Sequence, residues 1–183
     1  GSLDMKENQV VLIFEGADGC GKTNISQSLS QLIGVPYFKN KDEWRFFEND
    51  PTYFVNALTY GDPYFLSYLE QTGASVILDR SYPSEWVYSR VFNRETNHSA
   101  LEMIDKRYAA LGTKLIIPYR TDYSKVIDQF GAVTPEKLRE IDQEYRKFAE
   151  WTKCDKFFVN VDDEVLDREL FEIFNFLAED TNG

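Results

Sequence analysis

The sequence predicts an α/β fold, a parallel sheet of five strands covered by helices on both faces. Short apolar runs bounded by Gly, Pro, Asn or Asp alternate with helical patterns five times along the 183 residues. The first run, Val10 to Phe14, is apolar almost throughout, as a central strand buried on both faces must be. Directly after it, Gly16-Ala17-Asp18-Gly19-Cys20-Gly21-Lys22-Thr23 reads G-x-x-x-x-G-K-[ST], placed between a strand and a helix.

That loop has a physical reading. Glycines let the backbone curl until successive N–H groups point into one concavity, which anionic phosphate oxygens fill. The helix starting near Lys22 adds the positive end of its dipole, and Lys22, expected to be exposed in the loop, adds a mobile charge. The Thr23 hydroxyl suits Mg²⁺. Gly16, Asp18, Gly19, Cys20, Gly21, Lys22 and Thr23 therefore form a candidate site for ATP or GTP carried with Mg²⁺, in a P-loop fold with one crevice.

The remaining elements follow in order. A helix from about Lys22 to Leu32 carries Ile25, Leu29 and Leu32 on one face, and Gly34 and Pro36 stop it. A short strand, Pro36 to Lys39, leads into an aromatic stretch from Trp44 to Tyr68, where most rings are expected in the core. Asp50-Pro51 and Asp62-Pro63 each read as an N-cap and first helical residue. Within that stretch Trp44 and Phe47 are the candidates to line a base slot. The third strand, Ser75 to Leu78, ends in Asp79-Arg80-Ser81. Carboxyl ends of parallel strands face the ligand crevice, so Asp79 and Arg80 belong beside the phosphate loop, either as metal and phosphate ligands or as an ion pair with each other.

A helix after Pro83 precedes a polar loop, Asn93 to Asn97, and a helix from Ser99 to Leu111. Lys114 to Ile117 is the fourth strand, ended by Pro118, and Thr121-Asp122 starts a short helix to about Gln129. Thr134-Pro135 opens a long helix with Leu138, Ile141, Tyr145, Phe148 and Trp151 on one face. Lys156 to Val161 is the fifth strand. The last helix buries Leu166, Leu170, Ile173, Phe174 and Leu177. No repeat or linker divides residues 1–183, which read as one domain, with residues 1–4 an expression scar, a start near Met5 and no signal peptide.

Composition narrows the partners. A net charge of −11 disfavours broad binding to nucleic acid, whose affinity rests on Lys and Arg. No apolar run approaches the roughly 20 residues that span a bilayer. Cys20 and Cys154 lack metal-ligand spacing, and a disulfide at Cys20 would obstruct the loop, which fits a reducing cytoplasm. The one histidine, His98, reads as a surface or capping residue. The acidic stretch Asp162 to Glu172 reads as a solvated face.

Two of these motifs resemble those of thymidylate kinases. Phe14-Glu15-Gly16-Ala17-Asp18-Gly19-Cys20-Gly21-Lys22-Thr23 is similar to their F-E-G-x-D-G-x-G-K-T. Asp79-Arg80-Ser81 with Ser84 and Tyr88 resembles their D-R-[YHS]-x-x-S-x-x-x-[YF], and Glu144-Tyr145-Arg146-Lys147-Phe148 looks like their tyrosine-bearing helix before the last strand. The resemblance implies strand order 2-3-1-4-5 and ATP as donor, with Lys22, Thr23 and Mg²⁺ holding its phosphates. It also implies a nucleoside monophosphate as acceptor. Asp18 would accept from the acceptor's sugar hydroxyl, Arg80 would bind its phosphate or the transferring group, and Asp79 would organise the metal, through water. Catalysis would rest on Lys22, Asp79 and Arg80, and Ser84 and Tyr88 would face the acceptor. Related kinases often pair through helices flanking the cleft, so a homodimer is an expectation.

The chain also departs from that pattern. Where thymidylate kinases carry R-E-P-G after strand two, it has Lys39-Asn40-Lys41-Asp42-Glu43-Trp44-Arg45; Lys39, Lys41 or Arg45 would supply the lost positive charge, and Lys39, Trp44 and Arg45 are the acceptor candidates there. The lid-like region, residues 122–135, lacks arginine. Arg120 and Lys125 are the nearest basic residues, with Arg90 and Arg94 on another side. Deoxynucleoside kinases are the second resemblance, through Asp79-Arg80-Ser81 and Trp44, but Lys39 stands where that family places a carboxylate base. A hydroxyl acceptor benefits from such a base and an ionised phosphate does not, which favours a monophosphate acceptor unless Asp42 or Glu43 reaches in. The alternatives are a deoxynucleoside kinase, a kinase for a hydroxymethylpyrimidine, free or in DNA, and a nucleotide-binding switch or structural subunit.

Overall fold

A computed structural model of the chain describes residues 8–39, 56–126 and 133–179. Its strands are β1 (Val11–Phe14), β2 (Tyr37–Lys39), β3 (Val76–Asp79), β4 (Lys114–Tyr119) and β5 (Asp155–Asn160). They form one parallel sheet in the order β2-β3-β1-β4-β5, with helices on both faces. The apolar run of β1 is explained by its place: it lies between β3 and β4, and all four of its residues are buried. Register then aligns the ends that matter. Phe14 and Lys39 both stand opposite Asp79, so the carboxyl ends of β1, β3 and β2 share one row.

Helix α1 (Lys22–Ile33) ends at Gly34, whose φ of 70° and N–H bond to the Ser30 carbonyl form a left-handed cap. Helix α2 (Asp62–Thr72) does not start at an Asp62 cap. Asp62 is itself helical and continues a π-helical turn, Ala57–Gly61. Leu58, Leu66 and Leu69 fill the buried face, which leaves Tyr60, Tyr64 and Tyr68 exposed rather than in the core. Phe65 stacks between Phe38 and Tyr68. The rings between residues 40 and 55, and the helix read at Asp50-Pro51, lie outside the described residues.

Helices α3 (Tyr82–Val91), α4 (His98–Ala110) and α5 (Pro135–Trp151) pack together. Asn97 caps α4 by accepting from Ala100 N–H at 3.0 Å, while His98 is the exposed first residue. Thr134 caps α5 by accepting from Lys137 N–H at 3.1 Å. Buried Asp105 ties these elements together, accepting from Tyr82 at 2.6 Å, Thr152 at 2.5 Å and Lys153 N–H at 2.8 Å. Helix α6 (Leu166–Glu179) buries Leu170 and Ile173 and packs against α1 and β5. Phe174 is exposed, and Leu166 and Leu177 are only partly covered.

Three expectations near the carboxyl ends are corrected. Pro118 does not end β4, which runs on to Tyr119. The Ile116 carbonyl accepts from Glu15 N–H, so residues of that parity face β1, and Pro118 turns its nitrogen toward that side past the end of β1, where no donor is needed. Residues 121–126 are not helical: Thr121 N–H and hydroxyl bond Asp162 at 3.0 and 2.5 Å, and Ser124 N–H bonds Asp122 at 2.9 Å. The acidic stretch is accordingly more than a solvated face, since Asp162 anchors that loop and Glu169 is buried.

Candidate active site

Residues 15–21 connect β1 to α1 over a tight path. Gly16 has φ +128°, and a Cβ there would lie 2.6 Å from the Pro118 carbonyl oxygen, so only glycine fits. At the other end Gly21, with φ +67°, leads into α1 with no side-chain cap, so the first N–H groups of α1 stay open to an anion. The loop borders a cavity of about 220 Å³ lined by residues 17–24, Lys39 and Arg80. Cys20 turns away from it: its thiol is buried against the Tyr123 hydroxyl at 3.3 Å, and burial pushes it up to about 11. Both cysteines are free.

Asp79 is the centre of the first cluster. Its side chain is fully buried and accepts from Lys22 Nζ, from the Thr23 hydroxyl at 2.7 Å and from the Tyr37 hydroxyl at 2.6 Å. Lys39 reaches in from β2, with Nζ 3.1 Å from Thr23 Oγ1 and 3.7 Å from Asp79 Oδ2. Burial alone would raise the Asp79 carboxyl, but the Lys22 ammonium and the three donors overcome it and hold it at about 2. Lys22 is not exposed as expected; it is buried on Asp79. Burial and the repulsion of Arg80 lower its ammonium to about 8 against the pull of Asp79. The Thr23 hydroxyl and Asp79 Oδ2 lie side by side, a pair of oxygen donors of the kind Mg²⁺ takes together with water and phosphate oxygens.

Arg80 is the centre of the second cluster and does not pair with Asp79. Its backbone has φ 72°, a strained left-handed conformation for a residue with a side chain. Nη2 donates to Gly16 O and to Asp18 Oδ1, both at 2.9 Å. Nη1 donates to the Ser84 and Tyr145 hydroxyls at 3.2 Å each and lies 3.5 Å from Glu15 Oε2. Tyr88 lies beneath it, with the guanidinium carbon 5.4 Å from the ring centroid. Among the described residues, the buried Tyr88 hydroxyl has no hydrogen-bond partner.

The structure thus brings Asp18, Lys22, Thr23, Lys39 and Arg80 to one cavity, with Asp79 buried against Lys22 and Thr23, while Ser84 and Tyr88 pack on Arg80 and are not among the residues that line it. Lys41, Asp42, Glu43, Trp44, Arg45 and Phe47 lie outside the described residues, as does much of the lid-like region. The three arginines considered as substitutes for lid arginines are engaged within the protein. Arg90 stacks on Trp86 and bonds Glu144 at 2.6 Å, and Arg94 grips Glu85 at 2.7 and 2.8 Å. Arg120 donates to Gly19 O at 2.8 Å and Glu164 at 2.9 Å, bracing the outside of the loop. Sequence reasoning did not assign Glu15, Tyr37 and Tyr145 to the site. The available signal was a carboxylate closing an apolar strand and a hydroxyl ring within the buried stripe of α5.

No family model matches the chain, and no curated protein matches it in sequence. Solved structures do match in shape. A YorR protein of Bacillus subtilis, in complex with phosphorylated GDP, is 18% identical with a TM-score of 0.64, over 93% of this chain and 96% of its own. A deoxyadenosine kinase of M. mycoides with bound dATP is 16% identical with a TM-score of 0.59, over 92% and 100%. A thymidylate kinase of Candida albicans is 15% identical with a TM-score of 0.58, over 95% and 93%. The sheet order 2-3-1-4-5 and the loop after its central strand therefore give this chain the P-loop kinase fold that these proteins share.

Proposed function

We propose that the protein transfers the γ-phosphate of ATP to the phosphate of a (deoxy)nucleoside monophosphate. The observation that carries this reading is Lys39, an ammonium 3.1 Å from Thr23 and 3.7 Å from Asp79 at the end of β2. Transfer to a hydroxyl calls for a base to take its proton, whereas a monophosphate arrives ionised and needs positive charge to bring two anions together. Lys39 supplies charge and no base. Of the described carboxylates, Asp79 beside Lys39 is already held by cations and hydroxyls, and Asp18, which lines the cavity, is paired with Arg80.

In this reading the open end of α1 and Lys22 hold the donor phosphates. Thr23 and Asp79 would hold Mg²⁺, which when bound spreads the negative charge of the donor phosphates. Arg80 faces the cavity and takes the acceptor phosphate or the charge on the transferring group. Asp18, exposed at the loop crest and bonded to Arg80, would accept from the acceptor sugar. The protein is a phosphotransferase taking a small-molecule acceptor. Among the described residues no helix is long and apolar enough to cross a membrane.

Deoxyadenosine kinase among the structural neighbours supports a second reading, transfer to a nucleoside hydroxyl. The test is ADP release from Mg-ATP with a panel of deoxynucleosides, their monophosphates and hydroxymethyluracil-containing DNA. Release with monophosphates alone is the expected outcome. Release with deoxynucleosides or with that DNA overturns the monophosphate reading, and ATP binding with no acceptor-stimulated release favours a switch or structural subunit.

A further inference from the structure

Glu15 opens the phosphate loop yet is fully buried, and it collects more donors than a structural carboxylate requires. Its Oε1 accepts from Ser81 N–H at 2.8 Å, and its Oε2 from the Ser84 hydroxyl at 2.7 Å and the Tyr145 hydroxyl at 2.6 Å. The same two hydroxyls accept from Arg80 Nη1. A hydroxyl has one proton, and both Ser84 and Tyr145 direct theirs to Glu15, so each can present only lone pairs to the guanidinium. Glu15 therefore fixes the polarity of the whole network. On the other edge, Gly16 O and Asp18 take Nη2, so both terminal nitrogens are held in one plane.

This matters because the Arg80 backbone is strained and its side chain crosses from the end of β3 to the loop, where side chains of α3 and α5 hold it. Resting on the reading that Arg80 serves phosphoryl transfer, we infer that Glu15 and Tyr145 are positioning residues that lock the Arg80 guanidinium toward the cavity. Tyr145 brings α5, more than sixty positions away in sequence, into the active site without touching a substrate. A preorganised guanidinium needs no reorientation when charge develops, which is where such groups gain their effect.

The test is Tyr145→Phe, which keeps the buried ring and removes only the hydroxyl, with Ser84→Ala as a second variant that removes the other bridging hydroxyl. In protein labelled with ¹⁵N-arginine, the Arg80 Nη1 and Nη2 signals, assigned by their loss in Arg80→Lys, are expected to be separate and to merge in both variants as the guanidinium rotates freely. In turnover, kcat of Tyr145→Phe should fall at least tenfold with KM for Mg-ATP changed less than twofold. In an Arg80→Ala background the same substitution should change kcat less than twofold, because Tyr145 acts through Arg80. Arg80 signals that stay separate in the variants, or losses that multiply in the double variant, overturn the inference. The spectroscopic arm needs no substrate. Merged signals in a protein that phosphorylates no acceptor would therefore overturn the kinase reading while upholding the lock.

Discussion

Asp79 and Arg80 are neighbours in the chain and opposites in the site. Asp79 is a buried anion ringed by Lys22, Thr23, Tyr37 and Lys39, from α1 and β2. Arg80 is a cation ringed by Glu15, Asp18, Ser84 and Tyr145, from the loop entrance, α3 and α5. Asp79 keeps strand geometry opposite Phe14 and Lys39, whereas Arg80 turns left-handed and leaves the sheet. One strand end therefore feeds two clusters of opposite sign. On the proposed reading the difference is a division of labour. Lys22, Thr23 and Asp79 would hold the donor phosphates and their metal, with Lys39 serving the acceptor beside them, and the Arg80 cluster would aim one cation at the acceptor phosphate or the transferring group.

The largest break in this comparison is Lys22→Ala. It removes the donor cation and leaves a buried carboxylate with weaker partners, and loss of such a pair costs about 3 kcal/mol. The melting temperature should fall by roughly 6–12 °C in calorimetry, and acceptor-dependent ADP release should drop to background. Arg80→Ala comes next: kcat should fall about 10³-fold, on the order of an arginine finger's contribution, in steady-state assays. A loss below tenfold would make Arg80 a structural cation.

Lys39→Glu is smaller and sharpens the acceptor assignment. Losing one charge-assisted contact to phosphate is worth about 1.5–3 kcal/mol, so kcat/KM for a monophosphate should fall roughly 10- to 150-fold. Activity gained on deoxynucleosides in that variant would mean that the glutamate serves as a base at this position.

The smallest effect is that of pH on Lys22. Its ammonium, lowered to about 8, loses its proton as pH rises through that value, so ADP affinity should weaken from pH 7 to pH 9 by up to about tenfold, with proton uptake on binding. Stability of the free protein moves the other way. Between about 8 and the ordinary lysine value of 10.5 the unfolded chain binds more protons than the folded one, so the Lys22 contribution to stability rises with pH. At the acid end Asp79, held at about 2, loses its contribution as pH falls from about 4 through 2. Calorimetric titration and urea melts across pH check both signs.

Much of the fold was legible because alternation and punctuation are local. The phosphate loop is likewise one contiguous stretch, and Asp79 and Arg80 were found from a rule about strand ends. What escaped is what packing decides. The burial of Lys22 depends on Asp79, 57 positions on, and the partners Glu15 and Tyr145 are 130 positions apart. Pro118 is not legible as a strand residue because its tolerance in β4 depends on where β1 stops. The exposure of the α2 tyrosines is not legible either, because composition says which rings are present and not which face of a helix the leucines take.

The division between the two clusters is tested most directly by calorimetric titration of ADP and of a deoxynucleoside monophosphate into the unaltered protein and Arg80→Ala. The account predicts that ADP affinity changes less than about threefold while monophosphate affinity falls at least tenfold, on the order of one lost charge-assisted bond. Equal losses for both ligands, or a loss confined to ADP, would contradict it.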